Sequence, residues 1–263
     1  MEIWTVANQK GGVGKTTSTV NLGGLLAEQG FSVLLIDLDP HTSLTSYLGL
    51  EAEDLDCSIF DCMQNPHWKQ EKLMKSAVKD TRTENLKVIG GSVAMATIDR
   101  QMNNLKGKGF LLTKTLGALE NKFDYVIIDC PPIMGILLIN ALAVCQRLII
   151  PCQTEYLAIK GLQRMIETIH MVAKAGKSNF RYTIVPTMFD RRTRASILSL
   201  RKLRDSYPDA LWNNIIPVDT KFRDASMEHL PLCQLAPDTH GLRGYKILLR
   251  LLLSNELTAK RAA

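Results

Sequence analysis

The sequence lacks the features that mark secreted, membrane-spanning and disulfide-bonded proteins. Its start shows no signal-peptide succession of charged, apolar and small residues, and no apolar run reaches the roughly 18 to 20 residues of a membrane span. Six cysteines occur among 263 residues, and none forms a C-x-x-C pair. We therefore expect free buried thiols in a reducing cytoplasm, with neither a metal cluster nor stable membrane insertion.

Internal repeats, low-complexity tracts and Pro/Gly-rich linkers are also missing. A chain of 263 residues with a hydrophobic fraction of 46% is long and apolar enough for one large core. We predict a single domain over residues 1–263.

Charge is unevenly distributed along the chain. Residues 1–150 hold 14 Lys and Arg against 16 Asp and Glu, a net charge of −2, whereas residues 151–263 hold 18 against 10, a net charge of +8. A basic half indicates an anionic partner such as nucleic acid or a membrane surface, although a solvated basic face without a partner would have the same composition.

Runs of Val, Ile and Leu alternate with helical patterns, which is typical of strands buried on both faces of a parallel sheet. The order strand–helix–strand predicts an α/β fold with a doubly wound, mostly parallel sheet flanked by helices. Residues 50–85 are polar and irregular, and we expect a surface excursion there. The predicted strands are 3–7, 32–36, 86–89, 125–128, 147–150, 182–185 and 214–216, and the predicted helices are 15–29, 96–121, 136–144, 158–175, 194–206 and 241–254.

The segment VANQKGGVGKTTS, residues 6–18, nearly matches the phosphate-binding loop G-x-x-x-x-G-K-[ST]. Gly14, Lys15 and Thr16 complete that pattern, but Gln9 stands where its first glycine belongs and is followed by an extra lysine, Lys10. Glycines allow the backbone amides to converge on phosphate oxygens at a helix N-terminus. A plain Gly-rich turn would not explain the Lys and Thr. The candidate nucleotide-binding residues of the loop are Lys10, Gly11, Gly12, Val13, Gly14, Lys15, Thr16 and Thr17.

Carboxylates follow two of the predicted strands. LLIDLDP places Asp37 and Asp39 at the carboxyl end of one strand, and YVIIDCPP places Asp129 at the end of another, as a Walker-B aspartate requires. A lone aspartate at a strand end is usually a turn or a helix cap, but two such sites beside a phosphate loop indicate a Mg²⁺ site. The candidate metal-binding residues are Thr16, Asp37 and Asp129.

Together these motifs resemble the ParA/MinD family of deviant Walker-A ATPases. The resemblance covers essentially the whole chain and includes KGGVGKTT, DLDP, DCPP, PCQTEYLAIKGL, TMFDRRT and LAPDTHGLRGY. It implies a P-loop NTPase with ATP and Mg²⁺ as cofactors, which dimerises on binding ATP and hydrolyses it slowly.

The resemblance also implies roles for individual residues. Lys10 would be the signature lysine that reaches the partner subunit's phosphates, and Asp39 would position the attacking water. These two are the candidate catalytic residues. Gly12 would lie where the subunits approach closely, and Met188 and Pro217 would pack near adenine. The chain departs from the common Gln-Gly-Asn after DLDP, since it reads His41-Thr42-Ser43, and it has Lys160 where many relatives have an acid.

Members of this family position or segregate cargo with a ParB-like or other stimulating adaptor protein. WTVANQKGGVGKTT and the segment that follows DLDP are most similar to members that place chemotaxis arrays at a bacterial cell pole. Chromosome or plasmid partition is the alternative, in which case the protein would associate with the nucleoid. Because a strand is predicted at residue 3, we expect a small member without an N-terminal DNA-reading extension.

Three other functions would each require a feature that the sequence does not show. A MinD-like membrane-associated ATPase would need a one-sided apolar C-terminal helix, whereas the leucines of YKILLRLLLSNEL surround the helix and predict a core element. An electron-transfer ATPase would need paired cysteines at the dimer axis. A small-molecule kinase would need an acceptor pocket that no motif indicates.

The segment FDRRTRASILSLRKLR contains six basic residues and, from residue 191 to 204, no acid. Arg194, Arg201 and Arg204 share one stripe of a helix, and we expect Ile197, Leu198 and Leu200 to face the core. The family resemblance implies sequence-independent DNA binding by such a surface in the ATP dimer. The candidate DNA-binding residues are Arg191, Arg192, Arg194, Arg201, Lys202, Arg204, Lys221 and Arg223.

Overall fold

A computed structural model describes residues 1–98, 111–176 and 180–262. It contains a seven-stranded sheet with the order β3-β4-β2-β5-β1-β6-β7. All neighbouring strands are parallel except β3 and β4. The strands are β1 Glu2–Val6, β2 Val33–Asp37, β3 Val78–Asp80, β4 Leu86–Ile89, β5 Tyr125–Asp129, β6 Arg147–Gln153 and β7 Arg181–Thr187.

Helices connect the strands and cover both faces of the sheet. In the described ranges they are α1 Lys15–Glu28, α2 Ser43–Tyr47, α3 Ile59–Gln64, α4 Gln70–Ser76, α5 Leu111–Ala118, α6 Ile136–Val144, α7 Tyr156–Gly176, α8 Arg194–Ser206, α9 Lys221–Met227, α10 Leu232–Leu235 and α11 His240–Ala262. The predicted α/β fold, a mostly parallel sheet flanked by helices, is confirmed.

Successive side chains of each central strand point to opposite faces of the sheet. In β2, Leu34 and Ile36 join the core layer under α3, α5, α6 and α7, whereas Val33 and Leu35 join the layer under α1 and α11. Both faces are therefore apolar, which explains the continuous Val/Ile/Leu runs in the sequence.

The predicted strand at 214–216 is wrong. The segment runs beside β7, where Ile216 N donates to Pro186 O at 2.8 Å, but it forms only an isolated bridge between Phe189 and Pro217. Regular pairing stops because β7 ends at Thr187 and Met188 takes a left-handed backbone conformation with φ 51°.

The expectation of a surface excursion at 50–85 is also wrong. This region contains α3, α4 and β3, and its apolar side chains belong to the core because the faces of these short elements pack against the sheet. Buried side chains include those of Cys57, Ile59, Cys62, Met63 and Leu73. β3 adds an antiparallel edge to the sheet that the sequence pattern did not reveal.

Other expectations agree with the structure. All six cysteines are free and buried. The predicted core helix near the C-terminus is confirmed, because Leu248, Leu249 and Leu252 of α11 are buried. Of the predicted helix 96–121, α5 is observed, while residues 99–110 lie outside the described residues. None of the helices in the described ranges is long and apolar enough to span a membrane.

A close approach between α1 and α10 provides a test of this packing. A Cβ added at Gly24 would lie 2.3 Å from Pro231 Cβ, whereas a Cβ at Gly117 would have no atom within 4 Å. We expect Gly24→Ala to lower the free energy of unfolding by about 1–3 kcal/mol through overpacking. Gly117→Ala should raise it by up to about 1 kcal/mol because alanine favours the helix. Urea denaturation measures both, and equal stability of Gly24→Ala and wild type would contradict the packing described here.

Candidate nucleotide site

The loop and the carboxylates meet at one edge of the sheet because β5 lies between β1 and β2. In register, Asp129 pairs with Val6 of β1 on one side and with Asp37 of β2 on the other. Parallel strands end at the same edge, where open α/β sheets bind their ligands. The structure therefore brings the predicted loop and metal residues together.

Two glycines of the loop occupy a backbone conformation that few other residues tolerate. Gly12 has φ 71° and Gly14 has φ 91°, and Ser18 N donates to Gly14 O at 2.9 Å as α1 begins. No side chain caps the N-terminus of α1. Its first amides can therefore donate to an anion.

Lys15 lies inside the site rather than in solvent. Its side chain is buried, and its Nζ donates to the carbonyl of Lys10 at 3.3 Å. Burial lowers the pKa of Lys15, while the carboxylates of Asp129 and Asp39 act in the opposite direction. A lysine in this position can neutralise phosphate oxygens in front of the loop.

Thr16 and Asp129 form the part of the site that fits a cation. Thr16 Oγ1 donates to Asp129 Oδ2 at 2.6 Å, whereas the buried Oδ1 accepts no hydrogen bond from the described residues. Burial raises the pKa of Asp129, and the nearby carboxylate of Asp37 acts in the same direction. Carboxylate and hydroxyl oxygens are suitable ligands for Mg²⁺, so these residues fit the metal implied by the motifs.

Asp37 supports the loop that follows β2. Its Oδ1 accepts from Asp39 N at 3.0 Å, and its Oδ2 accepts from Thr45 N at 2.9 Å and from Thr45 Oγ1 at 2.7 Å. Burial raises the pKa of Asp37 to about 6, although these hydrogen bonds act to lower it. Thr45 was not identified from the sequence, and a Thr eight residues after a strand-end aspartate gives no signal of such a contact.

Asp39, the candidate that would position water, contacts the residue that departs from the family pattern. Its Oδ1 accepts from His41 N at 3.0 Å and lies 2.9 Å from His41 Nδ1. The side chain of His41 is itself mostly exposed.

A cavity of about 570 Å³ extends from the loop to the proposed adenine residues. Gly14 and Thr16 line its phosphate end, and Met188 and Pro217 line it further along. Sequence reasoning missed several other lining residues, although one of them lies in the GLRGY motif. The missed residues are Tyr47, Phe222, Ser226 and Tyr245. Arg223, predicted to bind DNA, also lines this cavity.

The predicted basic residues of α8 and the loop before it are all exposed. Arg201 and Arg204 line a cavity of about 420 Å³ beside residues 213–215. The expectation for Leu198 is wrong, since it is 48% exposed. Ser196, Ser199, Leu200 and Leu203 face the core instead, because that stripe of α8 turns toward the sheet.

Some of the candidate DNA-binding side chains are ion-paired with acidic residues of the same chain. Arg192 is ion-paired with Asp190, and Lys221 with Asp224. Lys202 lies over the ring of Tyr156, 5.5 Å from its centroid. Among the described residues, Arg191, Arg194, Arg201 and Arg204 form no ion pair.

Known proteins with similar sequences support a nucleotide site at this edge of the sheet. The family described as an AAA domain matches residues 1–182. The sporulation initiation inhibitor protein Soj of Bacillus subtilis is 32% identical over 255 residues, which cover 97% of this chain and 99% of that protein. The chromosome partitioning protein ParA of Caulobacter vibrioides is 30% identical over 261 residues, covering 97% of this chain and 95% of that protein.

The chain belongs to the ParA family of P-loop ATPases.

Solved structures agree with this membership. A cobyrinic acid a,c-diamide synthase from Mycobacterium smegmatis, with a bound ATP analogue and magnesium, has a TM-score of 0.84 and 29% identity, covering 98% of this chain and 97% of that one. The ATP complex of a Cyanothece McdA variant has a TM-score of 0.82 at 24% identity, covering 95% of this chain and 96% of that one. The second likeness concerns the fold alone.

The hydroxyl of Thr16 offers a test of the cation site in this ParA-family protein. Thr16→Ala removes the donor to Asp129 and one candidate metal ligand, so we expect Mg²⁺-dependent affinity for a fluorescent ATP analogue to fall about 10- to 100-fold. Thr16→Ser keeps the hydroxyl and should stay within a few fold of wild type. Fluorescence anisotropy with Mg²⁺ and with EDTA measures the difference. Equal loss of affinity in both variants would mean that the methyl group, not the hydroxyl, matters.

Proposed function

We propose that this protein is an ATP-dependent switch that dimerises with ATP and Mg²⁺, hydrolyses ATP slowly, and segregates DNA cargo through non-specific DNA binding by the dimer. The observation that carries this proposal is the grouping of the buried Lys15 and Asp129 around the half-buried Thr16, which also lines the 570 Å³ cavity. A buried cation, a hydroxyl and an unsatisfied carboxylate oxygen together suit a nucleotide phosphate with its metal.

Each side chain then has a defined task. The loop amides and Lys15 bind the phosphates, while Thr16 and Asp129 hold Mg²⁺, which neutralises phosphate charge when bound. Asp39 orients a water for attack. Met188 and Pro217 contact the base. Asp37 acts in this scheme mainly by holding the backbone of Asp39, and its carboxylate would help Thr16 and Asp129 to hold the metal.

Lys10 is assigned to the partner's site. Unlike the buried Lys15, its side chain is partly exposed at the entrance of the loop. A cation at the loop entrance can still reach phosphates presented by a second copy, so the charge that develops during phosphoryl transfer would be compensated only in the dimer. Gly12, exposed beside Lys10, would lie at the approach between subunits.

The named relatives favour DNA as the cargo. Soj of Treponema pallidum is a chromosome-partitioning ATPase, and ParA of Caulobacter vibrioides is a chromosome partitioning protein. We therefore infer a chromosomal or plasmid cargo, a ParB-like adaptor and a nucleoid location in the bacterial cytoplasm. Positioning of chemotaxis arrays at a pole stays a prediction without further support. A MinD-like membrane role is disfavoured, because the apolar side of α11 is buried against α1.

Two variants separate dimer formation from hydrolysis. Lys10→Ala should bind ATP but fail to dimerise, because the cation for the partner's phosphates is gone. Asp39→Ala should bind ATP, dimerise and remain dimeric, because the attacking water is not oriented. Size-exclusion chromatography with light scattering, with ATP and with ADP, measures dimer formation by both variants, and release of inorganic phosphate measures their ATP turnover. Lys15→Ala, which should not bind nucleotide, is the control. Normal ATP turnover by monomeric Lys10→Ala would refute the role of Lys10 in the dimer.

DNA is the proposed matrix because the surface around α8 combines exposed arginines with few acids. Arg191, Arg194, Arg201 and Arg204 are exposed without ion pairs among the described residues. The sequence contains no recognisable base-reading motif, so the side chains would bind phosphates and binding would be insensitive to base sequence. Dimerisation doubles the surface, which makes affinity depend on ATP.

We expect Arg201→Glu/Arg204→Glu, in the Asp39→Ala background with ATP, to weaken binding to a random DNA duplex at least tenfold at low salt. The slope of log affinity against log salt should fall by about one unit for each phosphate that the protein no longer neutralises. The control Lys69→Glu/Lys75→Glu also reverses two positive charges, but on exposed residues of a different region. It should bind DNA as tightly as the Asp39→Ala protein. Fluorescence anisotropy of a labelled duplex at two salt concentrations measures the affinity and its dependence on salt. Equal affinity of the two double variants, or of ATP and ADP forms, would exclude α8 as an ATP-dependent DNA surface.

A further inference from the structure

The side chain of Lys10 is ion-paired within its own chain. Its Nζ contacts Glu155 Oε1, and the two side chains are 29% and 39% exposed. Glu155 immediately precedes α7, and its carbonyl accepts from Ile159 N at 3.3 Å in the first turn. Neither the pairing nor Glu155 was identified from the sequence.

Asn8 determines where Lys10 lies. Its Nδ2 donates to Pro151 O of β6 at 2.7 Å, and its Oδ1 accepts from Lys10 N at 3.1 Å. Asn8 is buried, so water does not compete for these hydrogen bonds, and they hold the start of the loop against β6. β6 ends two residues before Glu155, so the amide of Asn8 places the lysine beside that carboxylate.

The two lysines of the loop point to different surroundings. Lys15 is buried near Asp129 and Asp39, whereas Lys10 is half-exposed against Glu155. A single ammonium carries one positive charge, and the part of it that is compensated by Glu155 is not available to phosphate oxygens on a second copy. The two interactions therefore compete.

We propose that Glu155 is a positioning residue that holds Lys10 in the free monomer and competes with the partner's nucleotide for its charge. This inference rests on the proposed role of Lys10 at the partner's site. The partial exposure of both side chains makes the pair weak and quickly exchanged, so a more highly charged phosphate group can displace Glu155. Glu155 would thereby raise the threshold for ATP-dependent dimerisation.

The size of the effect follows from the strength of exposed ion pairs. Such pairs change an equilibrium by about 1.4- to 5-fold each. Two of them are broken when a dimer forms. Removing the carboxylate should therefore lower the protein concentration at half-dimerisation by about 2- to 30-fold.

The first experiment tests the ion pair without nucleotide. The rate at which an amine-reactive ester labels Lys10 is measured by peptide mapping, with exposed Lys75 as the internal reference. Glu155→Gln keeps the size of the side chain but removes its charge, so we expect labelling of Lys10 to rise about 2- to 5-fold. Glu167→Gln, further along the same helix, should leave it unchanged. Equal labelling in wild type and Glu155→Gln overturns the inference, whatever the protein does with ATP.

The second experiment measures dimerisation with ATP by light scattering over a concentration series. Glu155→Gln should dimerise at lower concentration than wild type and Glu167→Gln, while Lys10→Ala/Glu155→Gln should stay monomeric like Lys10→Ala. Weaker dimerisation of Glu155→Gln overturns the inference, because the carboxylate would then support the interface. Dimerisation of the double variant also overturns it, because Glu155 would then act by repulsion and not through Lys10. If wild type and Lys10→Ala dimerise equally, the proposed role of Lys10 fails and the competition inferred for Glu155 fails with it, whereas the labelling result still stands for the ion pair.

Discussion

The site depends on a buried carboxylate at the end of the central strand β5. Asp129 is held between β1 and β2 by sheet register, and water cannot solvate it. A buried charge is costly unless it is paired, and among the described residues only Thr16 donates a hydrogen bond to this carboxylate, while Lys15 lies nearby. The other carboxylate oxygen of Asp129, Oδ1, has no hydrogen-bond donor among the described residues. A cation bound to this oxygen would compensate the buried charge, which is the physical reason that the site suits a metal-bound phosphate.

The loop after β2 is organised around this edge by a second buried aspartate. Asp37 binds the backbone of Asp39 and both donors of Thr45, and Thr45 Oγ1 in turn accepts from Gly91 N at 2.8 Å. The neighbouring Gly90 O accepts from Ile59 N at 2.9 Å. The region 50–85 is thus joined to Asp37 by hydrogen bonds through Gly90, Gly91 and Thr45.

The nucleotide cavity and the basic surface share a connecting segment. Met188 lines the cavity, and Phe189 lies between it and the arginines that begin at residue 191. Pro217, on the facing segment, lines the same cavity and pairs with Phe189. A movement of Met188 or Pro217, the proposed adenine contacts, would therefore be transmitted directly to the loop before α8, as the proposed nucleotide-dependent switch requires.

The sequence alone determined the fold class, the phosphate loop and the strand-end aspartates, because long apolar runs and closely spaced glycines are local signals that tertiary contacts rarely change. The buried helix α11 was likewise predictable from leucines on all its sides. Tertiary structure decided the rest. Thr45 contacts Asp37 from the next helix, and Tyr245 lines the cavity from the last one. Arg223, a candidate DNA-binding residue, also lines the cavity, and 214–216 does not form a strand where Met188 interrupts the pairing beside β7. The pairing of Lys10 with Glu155 joins residues 145 positions apart, which become neighbours because β1 pairs with β6 and the buried amide of Asn8 binds both the loop and β6.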